Sequence, residues 1–167
     1  MNQEVLKKSE HQQRVEAFMR PLGVKDNRQL VPARCTVPPE ETRWARARLI
    51  LEEALELIEA LGFWVAEDNP AGEPELNLYA HDRGITLVDI VDGCCDVKVV
   101  VTGTLSACGV PDLAVQREVD ENNLQKLHRG TIDEHGKLIK PADHVPPRLD
   151  LVLSYIDGAR RVSTPTT

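Results

Sequence analysis

The sequence predicts an all-α domain built like a four-helix bundle, followed by a short hairpin and a last helix. Three observations predict it. Residues 39–61 form a long amphipathic run, with leucine and isoleucine on one side and four glutamates on the other. Residues 85–108 form a second, more apolar run, and about 24 residues without a turn signal favour a helix over a strand. Pro21 with Gly23, Pro38-Pro39, Gly62, Gly109-Val-Pro111 and Pro146-Pro147 punctuate the chain between such runs.

The elements follow in order. Residues 9–20 carry Val15, Phe18 and Met19 at near-helical spacing, and Pro21 and Gly23 are expected to end that helix. The second helix is expected to start at Thr36–Pro39. Proline suits a first turn there, and Glu40 and Glu41 suit the positive end of the helix dipole. It runs to about Leu61, where Gly62 stops it. Residues 66–83, AEDNPAGEPELNLYAHDR, have the composition of a loop. The apolar segment 85–108 contains VKVVVTGT, whose β-branched residues would also suit a strand; its total length decides for helix. Asp112 can cap the next helix, which spans about Leu113 to His128. TIDEHGKLIK reads as a hairpin around His135-Gly136, and a last helix follows Pro146-Pro147. A single domain is expected over 1–160, with residues 161–167 a disordered tail.

Composition narrows the function. A chain of 167 residues has room for one domain with a sizeable core. The net charge of -7 argues against broad attraction to nucleic acid or an anionic membrane. A phosphorylated ligand would need something cationic to screen the repulsion. No stretch of about 20 apolar residues can span a bilayer, and the N-terminus lacks the apolar core of a secretory signal. A cytoplasmic protein is expected. Cys35, Cys94, Cys95 and Cys108 form no CxxC pair and read as reduced thiols. His81, His128, His135 and His144 lack zinc-ligand spacing.

The chemistry lies in two acidic stripes. On the first long helix Ile50, Leu51, Ala54, Leu55, Leu57 and Ile58 share one broad face. Glu52, Glu53, Glu56 and Glu59 take the opposite arc, roughly 120° wide. Alone, that is the solvated face of an amphipathic helix. The second helix is apolar around most of its circumference and should be buried. Yet Asp89, Asp92 and Asp96 interrupt it within roughly 60° of one another. Buried carboxylates cost several kcal/mol each unless neutralised. The neutraliser is either a set of basic side chains or a metal ion; Lys98 on the same helix points away, and Arg46, Arg48, Lys126 and Arg129 could reach in from other helices. Two acidic stripes converging in a bundle describe a known kind of metal site, and all-oxygen ligands select Mg2+ or Mn2+.

These residues resemble a family. Glu52-Glu53-x-x-Glu56 followed by an aspartate-bearing apolar helix looks like the all-α nucleoside triphosphate pyrophosphohydrolases. That group includes the MazG-like enzymes, the dimeric dUTPases and phosphoribosyl-ATP pyrophosphohydrolase. DGCCDVKVVVTGTLSACGV (92–110) resembles the second metal helix and its turn. EVDENNLQKL (118–127) resembles the substrate-binding segment, and GKLIKPADHVPPRLDLVL (136–153) the tail of a MazG-like subgroup. The match covers roughly residues 40–153.

The resemblance implies Mg2+, replaceable by Mn2+, held by Glu53, Glu56, Asp92 and Asp96. It implies catalytic roles for Glu52 and Glu53, with Glu52 binding metal or activating water. It implies substrate contacts from Asn123 and Lys126. Lys140 would add a charge for the outer phosphates, and Trp44 a surface for stacking on a base, although an aromatic beside an apolar helix face ordinarily belongs to the core. The usual second motif is Glu-x-x-Asp, and here Gly93 stands where the glutamate would. Asp92 is the expected substitute, with Asp89 in reserve.

The implied reaction is hydrolysis of a (deoxy)nucleoside triphosphate to the monophosphate and pyrophosphate, by a homodimer or homotetramer. Clean-up of dUTP or dCTP and a phage-type conversion of dGTP or GTP are both compatible. The alternatives are a non-catalytic helical protein that binds a partner, and phosphoribosyl-ATP pyrophosphohydrolase; the extra hairpin tail weighs against the latter.

Overall fold

Glycine sets the closest approach in this chain. A Cβ on Gly93 would stand 3.2 Å from the Leu57 Cα, and one on Gly103 would stand 2.8 Å from the Arg46 guanidinium. Those two crossings pack helix α2 (Glu40–Ala60) antiparallel against α3 (Leu87–Ala107). The computed structural model describes residues 3–67, 76–81, 83–134 and 138–163. Five α-helices dominate them, with two short antiparallel strand pairs. The other helices are α1 (Glu10–Lys25), α4 (Asp112–Arg129) and α5 (Leu149–Ser163). Strand β1 (Phe63–Glu67) pairs with β2 (Leu76–Ala80), and β3 (Thr131–Ile132) pairs with β4 (Leu138–Ile139).

Several boundaries differ from expectation for physical reasons. Helix α1 continues through Pro21 to Lys25. Gly23 there lies 3.2 Å, as a notional Cβ, from the Gln29 carbonyl, so the last turn is held by the 3-10 turn Asn27–Gln29 packed against it. Pro39 caps α2, at the late end of the expected start, and Gly62 ends it with φ 93, a left-handed conformation glycine takes without strain.

The expected loop 66–83 conceals a ribbon. Phe63-Trp-Val-Ala-Glu and Leu76-Asn-Leu-Tyr-Ala are short β-formers on either side of a Pro/Gly/Asp-rich middle, and Trp64 stacks on Tyr79 with ring centroids 4.8 Å apart. Helix α5 runs three residues beyond the expected boundary at 160. The hairpin tip at 135–137 and the tail 164–167 lie outside the described residues.

Asp112 is the first residue of α4 rather than its cap. Pro111 caps the helix without a side-chain bond. That role passes to Gln12, fully buried, whose Oε1 accepts from the Asp112 N–H at 2.9 Å while its Nε2 donates to Ser106 Oγ and the Val110 carbonyl. The Asp112 carboxylate accepts from the Ser9 N–H and hydroxyl in return. Gly109 turns the chain between α3 and α4 with φ 69, and Arg160 donates to its carbonyl at 2.7 Å. The two helices diverge by 114° at this break.

The buried apolar residues are Val15 and Met19 on α1, Val100 and Ala107 in the C-terminal half of α3, Val110 in the turn after it, and Ile156 and Ala159 on α5. The expectation of a wholly buried α3 does not hold. Ile85, Leu87, Val88 and Val91 are exposed, and so are Leu51 and Leu55 on α2. Helix α1 covers only the C-terminal half of α3. The first turns of α3 pack on α2, with Gly62 against Ile85 just before the helix. No single helix among those residues is long and apolar enough to cross a membrane.

Candidate functional site

The α2–α3 register decides which acidic residues meet. Asp96 lies three residues after Gly93, and Glu53 lies four before Leu57, so the antiparallel crossing brings them level. Partial burial, then the negative charges of Glu56, Asp96 and Glu52, push the Glu53 carboxyl above its ordinary value. Glu53, Glu56 and Asp96 therefore share one electrostatic neighbourhood across two helices.

Among the described residues no lysine or arginine forms an ion pair with Glu53, Glu56, Asp92 or Asp96. Arg46 was a possible neutraliser. It is buried near the far end of the seam instead, donating to Gln29 beside Met19, and burial holds its pKa below the usual guanidinium value. The side chain of Arg129 lies outside the described part. In the rotamers present, no three His, Cys, Asp or Glu side chains among the described residues stand together tightly enough to hold a metal ion.

The other acidic residues differ. Glu52 is tied to Arg48 at 2.7 Å. Asp92 is exposed one turn from Asp96, on the same side of α3. Asp89 belongs to the helix start. Thr86 caps α3 by accepting from the Asp89 N–H, and its hydroxyl donates to Asp89 Oδ2 at 2.7 Å. The spacing is that of a capping box, legible beforehand as Thr-x-x-Asp at a helix start, with the Asp89 carboxylate accepting from the Thr86 hydroxyl. Glu59 pairs with Arg83. Both long stripes are thus narrower than the sequence suggested, and neither Asp89 nor Asp92 is buried.

Gly93 faces the α2 backbone, and a Cβ there would stand 3.2 Å from the Leu57 Cα, so a side chain would need the neighbouring helix to give by a few tenths of an ångström.

Trp44 is 60% exposed and does not belong to the core; Phe18 is exposed too. The Arg48 guanidinium sits 5.7 Å from the Trp44 ring centroid, so Trp44, Arg48 and Glu52 make a ladder at four-residue spacing on α2.

Asn123 and Lys126 are on α4, joined by a 2.7 Å bond from Lys126 Nζ to Asn123 Oδ1. Helix α4 leaves the seam at 114° and packs on α5 and the N-terminal turn. With about 1.5 Å of rise per residue, Asn123 and Asp96 stand roughly 20 Å apart within one chain. Lys126 and Lys140 both act electrostatically on His144. The structure thus puts Glu53 within electrostatic reach of Glu56 and Asp96, and His144 within reach of Lys126 and Lys140.

No protein-family model matches the chain, and no curated protein matches it.

Proposed function

We propose that the chain is an all-α nucleoside triphosphate pyrophosphohydrolase that converts a (deoxy)nucleoside triphosphate to its monophosphate and pyrophosphate. The observation that carries this reading is the field shared by Glu53, Glu56 and Asp96 across the α2–α3 seam, with no basic partner among the described residues. The ordered sequence resemblance over 40–153 gives the reaction class.

The donors are all carboxylate oxygens and suit a hard ion, Mg2+ or Mn2+. Glu53, Glu56, Asp96 and the exposed Asp92 would hold it, turning inward about their own side-chain bonds to do so. Such an ion supplies charge screening toward the triphosphate and a water of lowered pKa. Of the two catalytic candidates, Glu52 is paired with Arg48, and Glu53 lies among the carboxylates that would hold the ion, where a bound cation would lower its proton affinity.

Asn123, Lys126 and Lys140 would meet sugar and phosphate, and Trp44 a base. In one chain Asn123 and the lysines are far from the carboxylates, so a homodimer or homotetramer would have to bring a neighbour's α4 to the seam. The exposed apolar residues of α3 and α2 supply a surface for such a neighbour. A cytoplasmic role in nucleotide-pool control fits this reading.

Incubating a nucleotide panel with Mg2+ and separating the products tests it. Monophosphate and pyrophosphate are expected; orthophosphate release, or turnover surviving Glu53→Ala with Glu56→Ala, would overturn it. The exposed apolar face also favours a second reading, a helical protein that binds another protein without catalysis. Calorimetry with Mn2+ separates the two, since the second predicts no binding.

A further inference from the structure

Two fixed points lay the segment 139–145 along the last turns of α4. At one end a Cβ on Gly130, the residue that caps α4, would come within 2.7 Å of the Ile139 carbonyl. At the other, the buried Asn122 side chain donates to the Val145 carbonyl at 2.8 Å. Between them the chain bends through a turn closed by the His144 N–H on the Pro141 carbonyl at 3.0 Å. Lys126 lies one turn beyond Asn122 on the same side of α4. It therefore faces the middle of this segment, where Lys140 and His144 sit.

We propose that His144 completes an anion-binding cluster with Lys126 and Lys140, and takes up a proton when the outer phosphates of a polyphosphate settle there. This deepens the reading above, in which the two lysines meet phosphate. The charged groups acting on the half-buried imidazole are Lys126 from α4 and Lys140 and Asp143 from its own segment. Partial burial and the two lysines hold its pKa below the ordinary histidine value, and Asp143 opposes them. The ring is therefore neutral at neutral pH, where it adds no charge. A phosphate oxygen placed among the lysines cancels their repulsion and offers the imidazolium an acceptor. Protonation and anion binding then favour one another.

The experiment uses inorganic tripolyphosphate without metal, so that its result is independent of turnover. Affinity is measured by calorimetry from pH 7.5 to 5.5 for the wild type and His144→Gln, the variant serving to cancel the titration of the phosphate itself. The His144 ring pKa is followed by NMR in the wild type with and without ligand. The wild type should gain about fivefold in affinity over the variant across that range for a ring pKa raised by about one unit on binding, tenfold being the limit. Equal pH slopes in the two proteins, an unmoved His144 pKa at saturation, or no tripolyphosphate binding by the wild type would each overturn the proposal. Loss of hydrolysis with the proton uptake intact would instead overturn only the enzymatic reading.

Discussion

The two halves of α3 are built from similar residues and meet different fates. In the C-terminal half, Val100 is 8% exposed, and Thr102, Gly103, Ser106 and Ala107 are buried. In the N-terminal half, Val88 is 75% exposed and Val91 52%, and the aspartates share that stretch. Valine's hydrophobicity is the same in both places, so burial here is decided by neighbours and not by composition. Helix α1, latched by Gln12, covers one half; the other packs chiefly on α2 and keeps Val88 and Val91 exposed. The covered half holds the fold, and the uncovered half is free to carry charge and to meet another surface.

Changes at the acidic end should act on chemistry and leave the fold alone. Asp96→Asn is expected to cut Mg2+-dependent hydrolysis by about a hundredfold or more, measured as pyrophosphate release, while leaving the thermal midpoint near that of the wild type. A collapsed midpoint would move Asp96 to the structural side of the comparison.

Next comes the direct contrast of two valines. Val100→Ala should cost about 2 kcal/mol in denaturant unfolding. Val91→Ala, at protein concentrations low enough to keep the chain monomeric, should stay within about 0.5 kcal/mol. Similar losses at both sites would show that the exposed half is covered within one chain after all.

A charge tests the surface itself. Val88→Asp should weaken self-association by about tenfold, read by sedimentation over a concentration series. An unchanged profile would place any self-association elsewhere.

The smallest effect concerns Glu53. Its proton affinity is raised by folding, so the folded state binds more protons than the unfolded chain in the window just above the ordinary glutamate value of 4.5. The repulsion costs stability above that window and is relieved as pH falls through it. Glu53→Gln should therefore stabilise the metal-free protein slightly at neutral pH and give no benefit below about pH 4. A benefit that grows on acidification would contradict the crowding.

Most helix ends were legible because their stops are chemical: Gly62 and Gly109 take a left-handed backbone without strain, whereas Pro21 did not stop α1. The ribbon was hidden because its strands are five residues each and flank a segment dominated by turn formers. At the site, the acidic residues could be named but not sorted. Sorting them requires the α2–α3 register, fixed by Gly93 and Gly103, whose meaning is apparent only when the opposing backbone is in place. Asp89 could have been assigned to its cap from Thr86 alone. His144 was out of reach, since its surroundings come from a turn at 141–144 and from a helix some 20 residues upstream.

The Gln12 latch also bears on how the molecule assembles. The groups it joins are about a hundred positions apart along the polypeptide, and closing so wide a loop is entropically slow. On a ribosome, residues 9–12 would emerge long before Asp112 and must wait for it. The start of α4 gains its amide partner only when both are present, so this contact closes only after the chain has been made as far as Asp112.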